Sequence, residues 1–280
     1  MLLNEPAVVV PGHLDTGAKV SAYTESRIHK VLKSAFGKAV VWEYTAVNPT
    51  LGATLPEQKS VKRDAWLDEE AIQALNACEN SVLQTAMYLA LGCSMRLGEI
   101  LGLQWGQVHM EDDLVSSGEA YLKIDRELRR CSNDSIEALE QVQRSTVMFK
   151  FPVVMPKKCT TTLVLKAPKT ESSNRTVYLP MAVVHELQRV QKCQEEYKAL
   201  LGDEYKDYGL VIAQLNGRPY EQRVIDKMFH KLIQKTGLHP VVFHSLRHSS
   251  TSLKLKLSRG NIEAVQGDTG HAEAKMVTDT

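Results

Sequence analysis

The chain has 280 residues, of which 43% are hydrophobic and 24% charged, and its net charge is +1. It is long enough to bury a sizeable core, and the composition is that of a soluble globular protein. No apolar run approaches the roughly 20 residues of a membrane-spanning helix. The amino terminus lacks the basic and apolar regions of a signal peptide, and the five scattered cysteines contain no C-x-x-C pair. We therefore expect a cytoplasmic protein with no membrane partner, no disulfide framework and no zinc site.

The charge is distributed unevenly along the chain. Residues 64–140 contain 15 acidic and 5 basic side chains, whereas residues 144–180 contain 1 acidic and 7 basic, and residues 218–260 contain 2 acidic and 9 basic. Single basic segments are usually solvated surface. Two such segments on one face could, however, neutralise the phosphates of a nucleic acid, with the acidic segment turned away.

The first predicted element is an amphipathic helix between Val20 and about Tyr44, because its apolar residues recur at helical spacing. Asn48-Pro49 stops it, since the residue before proline is pushed out of the helical region. Residues 50–64 are polar and contain glycine and proline, which is typical of a linker. The predicted organisation is a first domain over residues 1–50, a linker over 51–64 and a second domain over 65–280.

After the linker, apolar spacing predicts helices over Ala71–Cys78, Val82–Gly92 and Leu97–Leu103. The segment from Trp105 to Ile124 is predicted as strands interrupted by a turn at Ser116-Ser117-Gly118. Ser132-Asn133-Asp134 then caps a short helical insertion, Ile136–Gln143.

Three later stretches rich in β-branched residues are predicted strands: Val147–Val154, Thr161–Leu165 and Arg175–Leu179. The last two flank residues 167–174, a composition that suits the tip of a hairpin. The remainder is predicted as helices over Pro180–Leu201, Gln222–Lys235 and Phe243–Leu257, with a short helix after Gly260. The predicted fold class is α+β, mainly helical.

Four short motifs contain the candidate chemistry. Arg96 and Glu99 are three residues apart, as are His244 and Arg247, so each pair can project from one helix face. Alone, each motif has an ordinary structural explanation, such as a surface ion pair. Together with Lys169 and His271, and without an acidic metal cluster, the set describes a phosphodiester site that needs no metal. Guanidinium groups match the non-bridging oxygens bidentately, and lysine or histidine can protonate the leaving oxygen.

These motifs resemble the conserved boxes of the tyrosine recombinase (phage integrase) family. The segment L-G-C-S-M-R-L-G-E-I-L-G-L-Q-W (91–105) resembles the first-arginine box, K-T-E-S-S-N-R-T-V-Y-L-P (169–180) the lysine box, and H-S-L-R-H-S (244–249) with Gly270-His271 the second box. The resemblance covers roughly residues 20–280. It implies a catalytic domain with a small antiparallel sheet and a β-hairpin, preceded over residues 1–50 by the last helices of a core-binding domain.

The resemblance also implies roles for five side chains. Arg96 and Arg247 would clamp the scissile phosphate, and Lys169 would act as general acid towards the 5′-oxygen. His244 would assist proton transfer with the nucleophile, and His271 would hydrogen-bond the phosphate. The implied activity is site-specific cleavage and rejoining of double-stranded DNA by four protomers, without metal, ATP or another cofactor.

Two further residues complete the implied site. Glu99 would hold neighbouring site residues in place, and the nucleophile would be a tyrosine placed directly after Thr280. Every tyrosine of the chain precedes His244, the last being Tyr220. The 280 residues are therefore expected to hold a DNA phosphate without cutting beside it. Two alternatives stay open, namely a DNA-binding module that never cuts and the related chemistry of type IB topoisomerases.

Overall fold

The computed structural model describes residues 6, 17, 19–57, 65–142, 146–153, 159–168 and 173–257. The chain divides into two compact units, Met1–Lys62 and Arg63–Thr280. The division falls within the predicted linker. That the first unit is the end of a core-binding domain stays a prediction. Within the described residues, no helix is both long and apolar enough to cross a bilayer.

The first unit contains one long helix, α1 (Ala22–Val41). Ser21 caps it, because its hydroxyl accepts a hydrogen bond from the main-chain N–H of Thr24 at 3.2 Å. The chain then folds back, since the His29 ring is hydrogen-bonded to the carbonyl of Thr50 at 3.0 Å. The predicted helix is confirmed, although it ends several residues before the proline that was expected to stop it.

The second unit contains the remaining helices and all the named strands of the described residues. Its α-helices are α2 (Asp68–Ala77), α3 (Ser81–Cys93), α4 (Leu97–Gly102), α5 (Asp112–Ser117), α6 (Asn133–Gln141), α7 (Met181–Leu201), α8 (Gln222–Thr236) and α9 (Ser245–Leu257). Its strands are β1 (Val108–His109), β2 (Tyr121–Ile124), β3 (Glu127–Ser132), β4 (Val147–Lys150), β5 (Thr161–Lys166) and β6 (Arg175–Tyr178). The predicted mainly helical α+β class is confirmed.

The strands form two antiparallel sheets of three, in the orders β1-β2-β6 and β3-β5-β4. Residues 167–174 were predicted as the tip of a hairpin, but the strands on either side of them, β5 and β6, lie in different sheets. The reason is that β3 and β4 occupy both edges of β5, so no edge is left for β6. The segment therefore connects two sheets.

The segment Trp105–Ile124 also differs from the prediction of strands interrupted by a turn. It contains a 3₁₀ turn, the short strand β1, helix α5 and then β2. Asp112 and Asp113 lie in the first turn of α5, where acidic side chains stabilise the helix dipole. Gly118 ends the helix with a φ of 75°, a left-handed conformation that glycine adopts readily. The turn signal at residues 116–118 is thus the end of a helix.

The hydrophobic core is formed by residues of the helices and sheets of the second unit, and α4 packs directly against β3. A Cβ atom added to Gly102 would lie 2.7 Å from the main-chain nitrogen of Leu128 on β3, and one added to Gly98 would lie 3.4 Å from the carbonyl oxygen of the same residue. A side chain at Gly102 would therefore clash with the backbone of β3, whereas a Cβ at Gly98 would be in ordinary contact with it. This packing fixes the amino end of α4, where Arg96 is located.

Candidate functional site

Arg96 and Glu99 are paired at the start of α4, where Arg96 is the N-cap residue. The main-chain N–H of Arg96 donates to Glu99 Oε2 at 2.9 Å, and its Nη1 donates to Oε1 at 2.7 Å. The Glu99 side chain is only 3% exposed, whereas that of Arg96 is 36% exposed. The predicted pair is therefore anchored by a buried carboxylate, and part of the guanidinium stays accessible to a ligand.

Arg175 completes the pairing of Glu99, although sequence reasoning assigned it no role. From β6, its Nη1 donates to Glu99 Oε1 at 3.2 Å and its Nη2 to Oε2 at 2.9 Å, and its side chain is 5% exposed. The alternation of side chains along the predicted strand could have identified Arg175 as an inward-facing residue. In a strand, Arg175 and Val177 project from the same face, and Val177 is fully buried.

Arg247 lies in the first turn of α9 and is 2% exposed. Its Nη1 donates to the main-chain carbonyl of Ser94 at 2.7 Å. Burial, followed by the positive charges of Arg96 and Arg175, lowers the pKa of Arg247 to about 9, while Glu99 acts in the opposite direction. The pKa remains above neutral pH, so Arg247 is charged there.

These four side chains form a cluster of three guanidinium groups and one carboxylate, which we call the arginine cluster (Arg96, Glu99, Arg175 and Arg247). Each guanidinium group presents several N–H donors in a planar fork that matches the oxygen atoms of carboxylates and phosphates. The arrangement is therefore suited to an anion with several oxygen atoms.

Ser94 shapes the turn between α3 and α4 that joins the two arginine motifs. It adopts a left-handed conformation, with φ 51° and ψ 33°, which is uncommon for a residue other than glycine. It is fully buried, and its hydroxyl is hydrogen-bonded to that of Ser250 on α9 at 2.6 Å. This conformation directs the Ser94 carbonyl at Arg247, so local strain contributes to the geometry of the site.

A cleft of about 430 Å³ places Arg96 and His244 on a common surface. His244 lies directly before α9 and is exposed, and its ring is 5.2 Å from that of His248, nearly perpendicular to it. The α8 side chains Asp226 and His230 line the same cleft, where burial raises the pKa of Asp226. An accessible guanidinium beside an accessible imidazole can bind a phosphate and move a proton near it.

Lys169 and His271 lie outside the described residues, so their roles stay predictions. The structure brings together Arg96, Glu99 and Arg247, adds Arg175, and places His244 in the cleft with Arg96. Within the described part of the chain, histidine, cysteine and acidic residues form no group that could hold a metal ion.

Residues 155–279 match the model of the phage integrase family. A curated relative, the tyrosine recombinase XerC-like protein of Caldanaerobacter subterraneus subsp. tengcongensis, is 25% identical over 244 residues. The match covers 82% of this chain and 54% of the relative, so the chain spans about half the length of that protein.

Solved structures of similar fold include the Tn1549 transposon integrase in complex with a circular intermediate DNA. It superposes with a TM-score of 0.68 at 17% identity, covering 93% of this chain and 75% of the integrase chain. A lambda integrase tetramer bound to a Holliday junction superposes with a TM-score of 0.53 at 20% identity, covering 92% and 58% of the two chains. These likenesses confirm the predicted fold of an integrase catalytic domain.

Proposed function

We propose that this chain belongs to the phage integrase (tyrosine recombinase) family, whose model matches residues 155–279, and that it binds double-stranded DNA with a backbone phosphate seated between Arg96 and Arg247. The observation that supports this most directly is the convergence of the Arg96, Arg175 and Arg247 guanidinium groups beside the cleft that contains His244. The oxygen atoms of a phosphate are negatively charged and accept hydrogen bonds from the planar donor fork of a guanidinium group.

The proposed reaction is site-specific strand exchange through a 3′-phosphotyrosyl intermediate. The tyrosine oxygen bonds to phosphorus while the bond to the 5′-oxygen breaks, and the new ester conserves the energy for rejoining without ATP. The arginines stabilise charge on the non-bridging oxygens. Lys169 donates the proton to the departing 5′-oxygen, His244 assists the tyrosine, and His271 hydrogen-bonds the phosphate.

A second candidate is a DNA-binding module that does not cut, and one observation favours it for these 280 residues. None of the tyrosines of the described residues lines the cleft that contains Arg96 and His244. A nucleophile therefore has to reach the phosphate from another part of the protein. The phosphate-binding half of the site does not depend on it.

The full-length protein is further proposed to act as a tetramer on its recombination site, with residues 1–50 supplying the last helices of a core-binding domain. The lambda integrase tetramer on a Holliday junction supports this assembly by analogy of fold. Cross-linking of the protein on a synthetic four-way junction, followed by mass measurement, tests it. A protein that remains monomeric on the junction would contradict the tetramer.

Binding and cleavage have to be measured separately. Fluorescence anisotropy of a labelled duplex should show an affinity that falls steeply with salt, as expected when cationic side chains displace counter-ions from phosphates. A nicked suicide substrate should be trapped covalently by a protein extended beyond Thr280. Salt-dependent binding without trapping by the extended protein would support the module that never cuts, and the absence of DNA binding would refute both candidates.

A further inference from the structure

We infer that Arg175 is a positioning residue that holds the Arg96 guanidinium in its phosphate-binding orientation by fixing Glu99 between the two arginines. The inference deepens the proposed function and rests on it. The Glu99 carboxylate bridges the two arginines, and we call this arrangement of Arg96, Glu99 and Arg175 the relay. Each Glu99 oxygen accepts one bond from an Arg175 Nη atom and one from Arg96, which uses its main-chain nitrogen and its Nη1.

The charge state of Glu99 depends on this relay. Burial by itself would raise the pKa of Glu99, but the attraction and hydrogen bonds of Arg175, and then of Arg96, hold it below its ordinary value. Arg175 comes first among the attractive partners, and its side chain is almost as buried as that of Glu99. Without Arg175, the buried carboxylate would keep Arg96, which is partly exposed, as its one ion-pair partner among the described residues.

Arg175 also connects the relay to the chain segment that precedes β6. Its Nη1 donates to the carbonyl of Ser173 at 3.2 Å, four positions after Lys169. Both of its Nη atoms are thus committed, while its buried Nε has no acceptor among the described residues. A fork of two donors spanning both oxygens of one carboxylate cannot be reproduced by the single ammonium group of lysine.

The chain contains a matched control for this arrangement. On α7, Arg189 donates to both oxygens of Glu186 at 2.8 and 2.7 Å, and the Glu186 side chain is 8% exposed. Arg189 lines a different cavity from the one that contains Arg96 and His244. Arg189→Gln therefore breaks a comparable arginine–carboxylate fork outside the cleft that contains Arg96 and His244.

The test compares Arg175→Gln, Arg175→Lys and Arg189→Gln in the full 280-residue chain. Three measurements are made: the ¹⁵N relaxation of the Arg96 guanidinium in the free protein, the affinity for a DNA duplex, and the thermal midpoint. Arg175→Gln should mobilise the Arg96 guanidinium and weaken DNA binding by about tenfold or more, the loss expected for a charge-assisted hydrogen bond. Arg175→Lys should retain the fold and still leave Arg96 mobile, whereas Arg189→Gln should change neither Arg96 nor binding.

A double substitution adds an independent criterion. If Arg175 acts through Glu99, combining Arg175→Gln with Glu99→Gln should weaken binding no more than the more harmful single change. An ordered Arg96 and unchanged DNA affinity in Arg175→Lys and Arg175→Gln would overturn the inference while the salt-dependent binding of the wild type upheld the proposed function. If the wild type bound no DNA, the proposed function would fail, and the relaxation of Arg96 would still decide whether Arg175 positions it.

Discussion

Arg247 on α9 is hydrogen-bonded to the carbonyl of Ser94, a residue 153 positions earlier in the chain. Ser94 lies two residues before Arg96, so this contact joins the two arginine motifs through the main chain. The same turn therefore positions both arginines, Arg96 through the main chain and Arg247 through its hydrogen bond to Ser94. The turn is held in its place by the hydroxyl contact between Ser94 and Ser250.

Replacing Arg247 by alanine should weaken binding of a DNA duplex by about tenfold or more, because it removes a charge that we propose to contact the phosphate. The slope of log affinity against log salt should become shallower by about 0.9, the contribution of one phosphate contact. Anisotropy titrations over a salt series measure both quantities. Arg189→Ala serves as the control, and equal slopes for the two variants would remove Arg247 from the interface.

Ser94→Gly should change the free energy of unfolding by less than Ser94→Val, since glycine adopts the left-handed conformation without strain and valine does not. Both variants lose the contact with Ser250, which is worth about 1 kcal/mol. Ser250→Ala removes that contact alone, and comparison with it in urea unfolding isolates the backbone strain at Ser94. We expect Ser94→Gly to be at least as stable as Ser250→Ala. A clearly less stable Ser94→Gly would mean that the left-handed turn stores no strain.

Gly102→Ala should destabilise the second unit by about 1–3 kcal/mol, because its Cβ would meet the backbone of β3. Gly98→Ala on the same helix meets its nearest neighbour at 3.4 Å and gains helix propensity, so it should be neutral or slightly stabilising. Urea unfolding measures both variants. Equal effects at the two positions would show that α4 can move away from the strand.

Glu99→Gln should lower the free energy of unfolding at neutral pH by about 3–5 kcal/mol, since it leaves Arg175 buried without a counter-charge. The folded-state pKa of Glu99 lies below its ordinary value of 4.5. Its stabilising contribution is therefore complete above pH 4.5 and is lost as the pH falls through the folded-state value. The difference in unfolding free energy between the wild type and Glu99→Gln should accordingly become smaller in acid.

Urea unfolding from neutral pH into the acid range measures this difference. The exposed Glu119 provides a control, because Glu119→Gln removes a carboxylate that no arginine contacts in the described structure. If this difference in unfolding free energy stayed constant with pH, the arginine partners of Glu99 would not be what keeps it ionised.

Helices were predicted from the sequence with good accuracy because their apolar residues repeat at a regular interval, as in α3, α7 and α8. The failures have local physical causes. Asp112 and Asp113 start a helix too short to show a period, and β5 pairs on both sides with strands that a linear pattern cannot identify.

The site was predicted in part. The three-residue spacing of Arg96 and Glu99 predicted their pairing, although Arg96 caps α4 instead of lying within it. The spacing of His244 and Arg247 predicted a shared helix face, but α9 begins at Ser245, so His244 is exposed while Arg247 is buried. Arg175 could not be connected to Glu99, because their contact spans 76 residues. The left-handed turn at Ser94 also had no sequence signal, since it occurs at a serine.

The three guanidinium groups of the arginine cluster come from separate stretches of the chain, and the positive charges of Arg96 and Arg175 disfavour the charged form of Arg247. Folding alone brings them together, so an anion bound there as proposed would bind the folded unit in preference to the unfolded chain. By mass action, an anion at one hundred times its dissociation constant adds about 2.7 kcal/mol to the unfolding free energy. Inorganic phosphate or sulfate should therefore raise the melting temperature of the wild type more than that of an Arg247→Ala variant. A phosphate bound at the arginine cluster would therefore stabilise the folded state of this protein as well as mark its DNA-binding site.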